Sequence, residues 1–272
     1  MEPVRPAIGL TSDYPETLAA IVSVMTRDLK LPAAEGIVTF YPNSVALESA
    51  LMVEYEKDFG QLEKQLEPTE KEHFLATKAE TIALAARQRA TTAIAVGMHK
   101  RVLVNELIFF RYPWSERVRV LAHELTHTVQ RALVNGRVIN ADLWLVEGSA
   151  EWVAAKVLDA LNIETFAKGR EGNIDVVAKA RQYQTFPRLS QLAMGTEWQT
   201  WVGSLGREAT YNQAFLAVDF LIEQKGFPAV VEYFRLFGKL NNREHNFARA
   251  FGEPLSDFEG KFSQHLQILL GK

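Results

Sequence analysis

Two histidines and a glutamate with the spacing of a metal site lie in the middle of the chain. The segment His123-Glu124-Leu125-Thr126-His127 places the histidines four positions apart, and residues at i and i+4 of a helix share one face. Both imidazoles can then reach one ion, and zinc suits such a pair. Glu124 points about 100° around the helix from His123, where its carboxylate can hold a water beside the metal. The pattern predicts a zinc site; the alternative is an amphipathic helix with two structural histidines.

A third ligand is available on the next predicted helix. Glu147 lies within Trp144-Leu145-Val146-Glu147-Gly148-Ser149-Ala150-Glu151-Trp152, which Asp142 precedes as a candidate N-cap. Catalytic zinc commonly has three protein ligands and an open position, and two histidines with one glutamate are a known set. Glu151 faces the same way one turn later, where it can accept a hydrogen bond from a ligand imidazole. Such carboxylates on an apolar helix need a cation nearby, unless they form an exposed acidic face.

The composition restricts both the metal ligands and the class of protein. The chain has 272 residues and no cysteine, so a bound metal must use His, Asp or Glu. With 47% hydrophobic and 23% charged residues, it has the composition of a globular protein. A balance of 30 basic against 33 acidic residues, net charge −3, lacks the basic excess of a nucleic-acid-binding protein.

No segment has the pattern of a membrane span or an export signal. The first residues, Met1-Glu2-Pro3-Val4-Arg5-Pro6, contain no apolar run, and no stretch reaches about 18 uninterrupted apolar residues. We therefore expect a soluble chain without a membrane span. The compartment is open: cytoplasmic by default, exported if a signal has been removed. The sequence leaves the oligomeric state open as well.

The metal segments must be positioned by a fold that mixes strands and helices. Apolar spacing predicts a helix over 14–30 with Asp13 as its N-cap, a strand over 36–41 and helices over 44–58 and 68–89. Runs at 91–96 and 101–105 are typical of strands joined by the four residues 97–100. After Pro113, helices are predicted near 115–133, 142–161, 163–183, 208–224, 227–240, 243–251 and 255–270.

This order predicts the α+β class. Residues 1–112 would form a small mixed α/β sheet part that carries a strand platform. Residues 113–272 would form a helical part with the zinc site and a C-terminal lobe, and the two parts together would make one compact catalytic unit.

The His-Glu-Leu-Thr-His helix followed by Trp-Leu-Val-Glu-Gly resembles the gluzincin zinc metallopeptidases, and most closely the bacterial peptidase MA-like domains. Segments 113–117, 211–215 and 247–252 are similar to that group too, and the resemblance covers about residues 92–270. It implies a zincin-like catalytic domain and, position by position, assigns zinc to His123, His127 and Glu147. It makes Glu124 the general base and Glu151 a carboxylate that accepts a hydrogen bond from a ligand imidazole. Tyr211 matches a tyrosine that donates to the oxyanion of the reaction; its alternative is packing with Phe215, Val218 and Ile222.

The resemblance implies hydrolysis of a peptide or protein substrate by a zinc-activated water. The large zinc aminopeptidases carry a Gly-x-Met-Glu-Asn motif, which is absent here, so endopeptidase and aminopeptidase action are equally open. By the same resemblance, the strand at 101–105 is the candidate for pairing with an extended substrate. The alternative function is a zinc-binding pseudopeptidase that serves as a protein-interaction module.

The remaining polar and aromatic residues of note are predicted to be structural. His73, His99, His245 and His265 have no partner at ligand spacing and are expected at the surface or at helix caps. Arg207 could meet a substrate carboxylate, although a single arginine is usually solvated. Four apolar residues are expected to pack a loop or, alternatively, to line a substrate cleft: Phe186, Leu189, Trp198 and Trp201.

Overall fold

The computed structural model describes residues 14–33 and 36–271. Helix α1, Tyr14–Ser23, continues into one π-helical segment over Val24–Asp28. The predicted helix over 14–30 is therefore confirmed with an altered last turn. Its predicted N-cap, Asp13, lies outside the described residues.

Three short strands form one mixed sheet. Strands β1 (Ile37–Tyr41), β2 (Ala95–Met98) and β3 (Arg101–Asn105) are arranged in the order β1-β3-β2. β1 pairs with β3 in parallel, with Thr39 opposite Leu103, and β2 pairs with β3 antiparallel, with Gly97 opposite Val102. The predicted four-residue connection is wrong, because Gly97 and Met98 still pair with β3 and only His99 and Lys100 form the turn.

Two long helices pack on one face of this sheet. They are α2, Ser44–Glu63, and α3, Pro68–Thr92. Residues 91 and 92, predicted to begin a strand, belong to α3, since the helix continues to the end of its alanine-rich segment. A separate small core joins the helices to the sheet: Leu47, Leu51, Ala86, Ala90, Val96, Met98 and Leu103.

The rest of the chain is helical, as predicted. Within the described residues it comprises α4 (Glu106–Phe109), α5 (Trp114–Leu133), α6 (Leu143–Ala160), α7 (Phe166–Arg181), α8 (Gly195–Leu205), α9 (Arg207–Lys225), α10 (Phe227–Leu236), α11 (Arg243–Phe251) and α12 (Leu255–Leu269). A 3₁₀ turn, Leu189–Leu192, precedes α8. Helices α4 and α8 were not predicted. Trp198 and Trp201, which are expected to pack a loop, lie on helix α8.

The main core surrounds α5, α6 and α9. Val102 and Val104 of β3 share it with Leu121 of α5 and Trp144 of α6, so the sheet and the helical part have a common interior. The α+β class is confirmed. The boundary at residue 112 stays a prediction. None of the described helices is long and apolar enough to cross a membrane.

A glycine sets the distance between α6 and α9. A Cβ atom at Gly148 would lie 2.4 Å from the carbonyl oxygen of Ala214 and 2.8 Å from Cγ2 of Val218. Only the absence of a side chain allows this approach. The Glu147-Gly148 pair thus belongs to the surface on which α9 packs.

Candidate metal centre

Helix α5 carries the histidine pair. Its buried face includes Leu121, Leu125 and Val129, and its polar positions turn toward a cleft. His123 is buried, with 6% of its surface exposed, and His127 is partly buried. This arrangement is the one that the apolar spacing around the histidines predicts.

Three ligand atoms converge on one point between α5 and α6. Nε2 of His123 lies 3.0 Å from Nε2 of His127. Oε2 of Glu147 lies 3.3 Å from the first of these nitrogens and 3.6 Å from the second. Tetrahedral zinc with bonds of about 2.0–2.2 Å holds its ligand atoms about 3.3–3.5 Å apart. The three measured distances bracket this range, so the side chains predicted as ligands lie close enough together to hold one metal ion.

The ring of His127 is oriented by Gln130. Nδ1 of His127 lies 2.8 Å from Oε1 of Gln130, and the amide nitrogen of Gln130 donates to the carbonyl of Val146 and to Oγ of Ser149. Because these two acceptors fix which end of the amide faces the ring, Gln130 must accept from Nδ1–H. In the neutral imidazole, Nε2 of His127 is then the nitrogen without a proton, the one that can bind a metal.

A series of charged side chains lies on the Nδ1 side of His123. Nδ1 of His123 lies 3.1 Å from Oε1 of Glu151, and the other oxygen of Glu151 accepts from Arg119 at 2.6 Å. Arg119 in turn forms a bidentate pair with Glu116. Glu151 therefore lies where the sequence predicts it, behind a ligand imidazole, with Arg119 balancing its charge.

The pKa shifts in this cluster show that its carboxylates favour a positive charge between them. Burial alone would lower the pKa of His123, but the carboxylates of Glu151, Glu147 and Glu124 outweigh it and raise the pKa to about 10. Burial alone would raise the pKa of Glu147, but His127 and His123 hold it well below its usual value. Glu151 shows the same balance: burial acts upward, Arg119 and His123 act downward, and its pKa falls to about 2. Buried carboxylates around two imidazoles are the electrostatic setting that a divalent cation stabilises.

The carboxylate of Glu124 is held by the sheet. Its Oε2 accepts a hydrogen bond from the backbone N–H of Gly97 in β2. A Cβ atom at Gly97 would lie 2.9 Å from Cβ of His127 and closer still to the carbonyl oxygen of Glu124. Glycine is thus required for β2 to approach the metal helix. Oε1 of Glu124 has no hydrogen bond to any residue in the described part of the chain.

Tyr211 borders the centre from α9. It is 7% exposed, and its ring centroid lies 6.4 Å from that of His123. Trp198 packs edge-on against it at 5.1 Å, and the guanidinium of Arg207 lies 4.2 Å above the ring centroid. Burial, then the charge of Glu147, raise the pKa of Tyr211, so the phenol keeps its proton at neutral pH. The helix packing expected as the alternative role is present too, since Phe215 and Val218 belong to the same core.

The metal centre forms the floor of a cleft of about 970 Å³. Residues at the end of α3, in strand β2, in α7 and in α9 line this cleft. This volume lies in the range of pockets that hold a ligand the size of a short peptide. Trp198, Trp201, Phe186 and Leu189 are not among the lining residues, so their alternative role as cleft residues is not supported.

The strand predicted to pair with substrate is the wrong one. β3 is the central strand, with β1 on one side and β2 on the other, so Arg101–Asn105 has no free edge. β2 is an edge strand and lines the cleft. Period and composition identify a strand, but its neighbours are set by tertiary packing, which the sequence pattern does not reveal.

The site contains residues that sequence reasoning did not single out. Gln130 lies three positions after His127, a spacing that places both on one helix face and could have identified it. Gly97, Arg119 and Arg89 come from segments with no motif, and only the fold brings them to the cleft. Asp142 occupies the N-cap position of α6 as predicted, but its buried carboxylate accepts from the Tyr233 hydroxyl at 2.8 Å and does not cap the helix.

The four other histidines take no part in the centre. Among the described residues, the group formed by His123, His127 and Glu147 is the one with metal-ligand geometry. His73 and His245 are exposed as predicted. His99 and His265 are half-buried instead, His265 stacking on Phe220 at 4.1 Å.

The chain matches no protein-family model, and no curated protein or solved structure is significantly similar to it. The function must therefore be argued from the geometry of the site.

Proposed function

We propose that the protein is a zinc-dependent metallopeptidase with a zincin-like catalytic domain, as its resemblance to gluzincins implies. The observation that carries the proposal is the convergence of His123, His127 and Glu147 at zinc spacing, beside the carboxylate of Glu124, on the floor of an open cleft. A purely structural cluster would not need an open cleft over it.

The donor set fits zinc better than magnesium or calcium. Two imidazole nitrogens and one carboxylate oxygen suit zinc, whereas magnesium and calcium prefer oxygen ligands alone. Both imidazoles have an acceptor at Nδ1, which leaves Nε2 for the metal. Three protein ligands also leave a fourth position open, as in catalytic zinc sites.

Zinc bound there would activate a water and polarise the scissile carbonyl. Glu124 accepts the proton of the water as its oxygen bonds to the carbonyl carbon. The Tyr211 phenol donates a hydrogen bond to the oxygen that gains negative charge. When the C–N bond breaks, Glu124 gives its proton to the leaving amine, and the products are a carboxylic acid and an amine.

β2 is the strand that fits an extended substrate. Since the N–H of Gly97 turns away from β3 toward Glu124, the outer edge of β2 faces the cleft. A peptide added along this edge would lie beside the base, and main-chain pairing tolerates many sequences.

Metal content and peptide cleavage by the wild type and by Glu124→Gln test the proposal. We expect about one zinc per chain in both proteins, and a loss of activity of at least about 10²-fold in the variant, because only the proton acceptor is removed. Asp175→Asn, in α7, serves as the control. Zinc in both proteins without cleavage in either would favour the interaction module, and no bound metal would refute both functions.

A further inference from the structure

The cleft contains two arginines that no acidic residue neutralises. Its other basic residues are engaged: Arg119 pairs with Glu151 and Glu116, Arg131 with Asp58, and Lys168 with Glu164, while Arg137 donates to the carbonyl of Gly238. Arg89, near the end of α3, and Arg207, at the start of α9, form no ion pair or side-chain hydrogen bond within residues 14–33 and 36–271. Both line the cleft and are exposed.

The two arginines and Tyr211 line the same cleft. The guanidinium of Arg207 stacks over the Tyr211 ring at 4.2 Å, an arrangement that leaves the N–H groups at its edge free. Arg89 reaches the cleft from α3, on the side of β2.

The charge of Arg89 interacts with groups of the centre as well. Burial lowers the pKa of Arg89, but Tyr55, Tyr211, Glu147 and Glu124 act in the opposite direction and raise it overall. Burial and Glu147 raise the pKa of Tyr211, while Arg207 and Arg89 both oppose that shift. The charges of both arginines are therefore felt at the Tyr211 hydroxyl.

We propose that Arg89 and Arg207 bind a carboxylate of the substrate, so that the cleft selects peptides with a negative charge next to the bond that is cleaved. The inference rests on the proposed function, because it places the substrate over the same centre. Guanidinium groups with free donors match the geometry of a carboxylate, and such charge-assisted hydrogen bonds are about twice as strong as neutral ones. The carboxylate can come from a free C-terminus or from an Asp or Glu side chain.

Peptide binding to the zinc-loaded Glu124→Gln protein tests the inference without requiring turnover. The probes are N-dansylated Ala-Phe-Leu with a free carboxylate, the same peptide as its C-terminal amide, and the amide with Glu in place of Leu. We expect the free acid to bind about tenfold or more tightly than its amide. If the Glu-containing amide binds as tightly as the free acid, the arginines recognise a side chain; if it does not, they recognise the C-terminus.

The same measurement on Arg89→Gln and Arg207→Gln assigns the preference to the arginines. Each substitution should reduce the advantage of the free acid several-fold and leave binding of the neutral amide unchanged. Arg87→Gln is the matched control: Arg87 lies on the same helix, pairs with Glu48 at 3.5 Å and does not line the cleft.

Equal binding of all three peptides would overturn the inference. A preference that survives in both arginine variants would also overturn it, since the carboxylate would then bind another group such as the metal. Failure of the proposed function is a separate result, seen as absence of peptide cleavage by the wild-type protein.

Discussion

The proposed metal centre depends on residues that are not themselves candidate ligands. His127 can offer Nε2 only if its proton resides on Nδ1, and Gln130 enforces this because its own amide is fixed by Val146 and Ser149. Glu151 faces His123 in the same way, with Arg119 behind it. Different groups therefore face the two imidazoles: the neutral amide of Gln130 faces His127, and the charged carboxylate of Glu151 faces His123.

Replacing Gln130 should weaken zinc binding while the three ligands remain in place. For Gln130→Leu we expect about 10–100-fold lower zinc affinity, because the His127 ring loses its orienting acceptor. Competition with a chromogenic zinc chelator measures the change. Gln182→Leu, at the exposed C-terminal end of α7, is the control. Unchanged affinity in Gln130→Leu would show that packing alone orients the ring.

At the residue scale, the sequence predicts which candidate ligands come together, because their spacing is local. His123, Glu124 and His127 lie on one helix turn, and the helix periodicity alone places them together. Glu147 and Glu151 follow from the same periodicity on the next helix. Gly97 and Arg89 could not be predicted, because their roles depend on how β2 and α3 pack against α5.

At the scale of elements, the close packing of α6 and α9 brings Tyr211 to the centre. Gly148 allows this packing, since a side chain there would meet the backbone of Ala214. The Trp-Leu-Val-Glu-Gly segment therefore contains both a candidate ligand, Glu147, and the glycine, Gly148, that allows α9 to pack against α6.

Gly148→Ala should destabilise the protein although alanine is the better helix former. Overpacking of this kind costs about 1–3 kcal/mol. Gly260→Ala in α12 is the matched control, since no atom lies within 4 Å of its Cβ position, and it should stabilise by about 0.5–1 kcal/mol. Urea denaturation measures both. Stabilisation by both substitutions would refute the close approach.

Glu253 connects three helices, and its contribution to stability should depend on pH. It pairs with Lys225 of α9 at 2.9 Å and with Lys261 of α12 at 2.6 Å, just after α11. The hydrogen bond from Lys261 lowers the pKa of Glu253, burial opposes this, and Lys225 adds to the lowering. A lowered carboxyl pKa adds stability above the unfolded value of about 4.3, and this stability is lost as the pH falls through the folded value.

We therefore expect Glu253→Gln to lower the free energy of unfolding at pH 7 by at most about 1 kcal/mol, because both lysines are partly exposed. The difference from wild type should disappear in acid. Thermal unfolding from pH 3 to pH 7 measures it, with the exposed Glu80→Gln as the control. A difference that grows as the pH falls would contradict the assignment.

Helices and strands are predicted accurately where their own sequence determines them, and less accurately where tertiary packing does. Helices α5, α6 and α11 are amphipathic or well delimited, and their bounds follow closely from the sequence. α8 was not predicted because Gly195 and Gly203 suggest a loop, whereas packing of Trp198 against Tyr211 stabilises a helix. The order of the strands was not predictable from patterns that describe one strand at a time.

For the whole molecule, the core and the metal centre are separate sources of stability. The main core extends from α1 to α12 and does not include the candidate ligand side chains. The metal-free protein should therefore remain folded, while zinc adds stability by binding only the native state.

Removal of zinc with EDTA should lower the melting temperature without abolishing cooperative unfolding. Zinc at 100 times its dissociation constant adds about 2.7 kcal/mol, which corresponds to about 5–10 °C in a chain of this size. Circular dichroism melts measure the shift. His123→Ala should melt at the same temperature with and without EDTA; an equal shift in this variant would mean that the stabilising metal binds elsewhere.

Helix α5 makes two separate contacts that must both form during folding, one to Glu147 and one to Gly97. The proposed metal site needs only α5 and α6 to meet, and closing it joins residues 123 to 147. The hydrogen bond to Glu124 spans 27 positions in the other direction and requires β2 to have docked. Because different elements form the two contacts, metal uptake and alignment of the base can occur as separate steps, and stopped-flow refolding with a zinc indicator should resolve metal uptake from the recovery of activity.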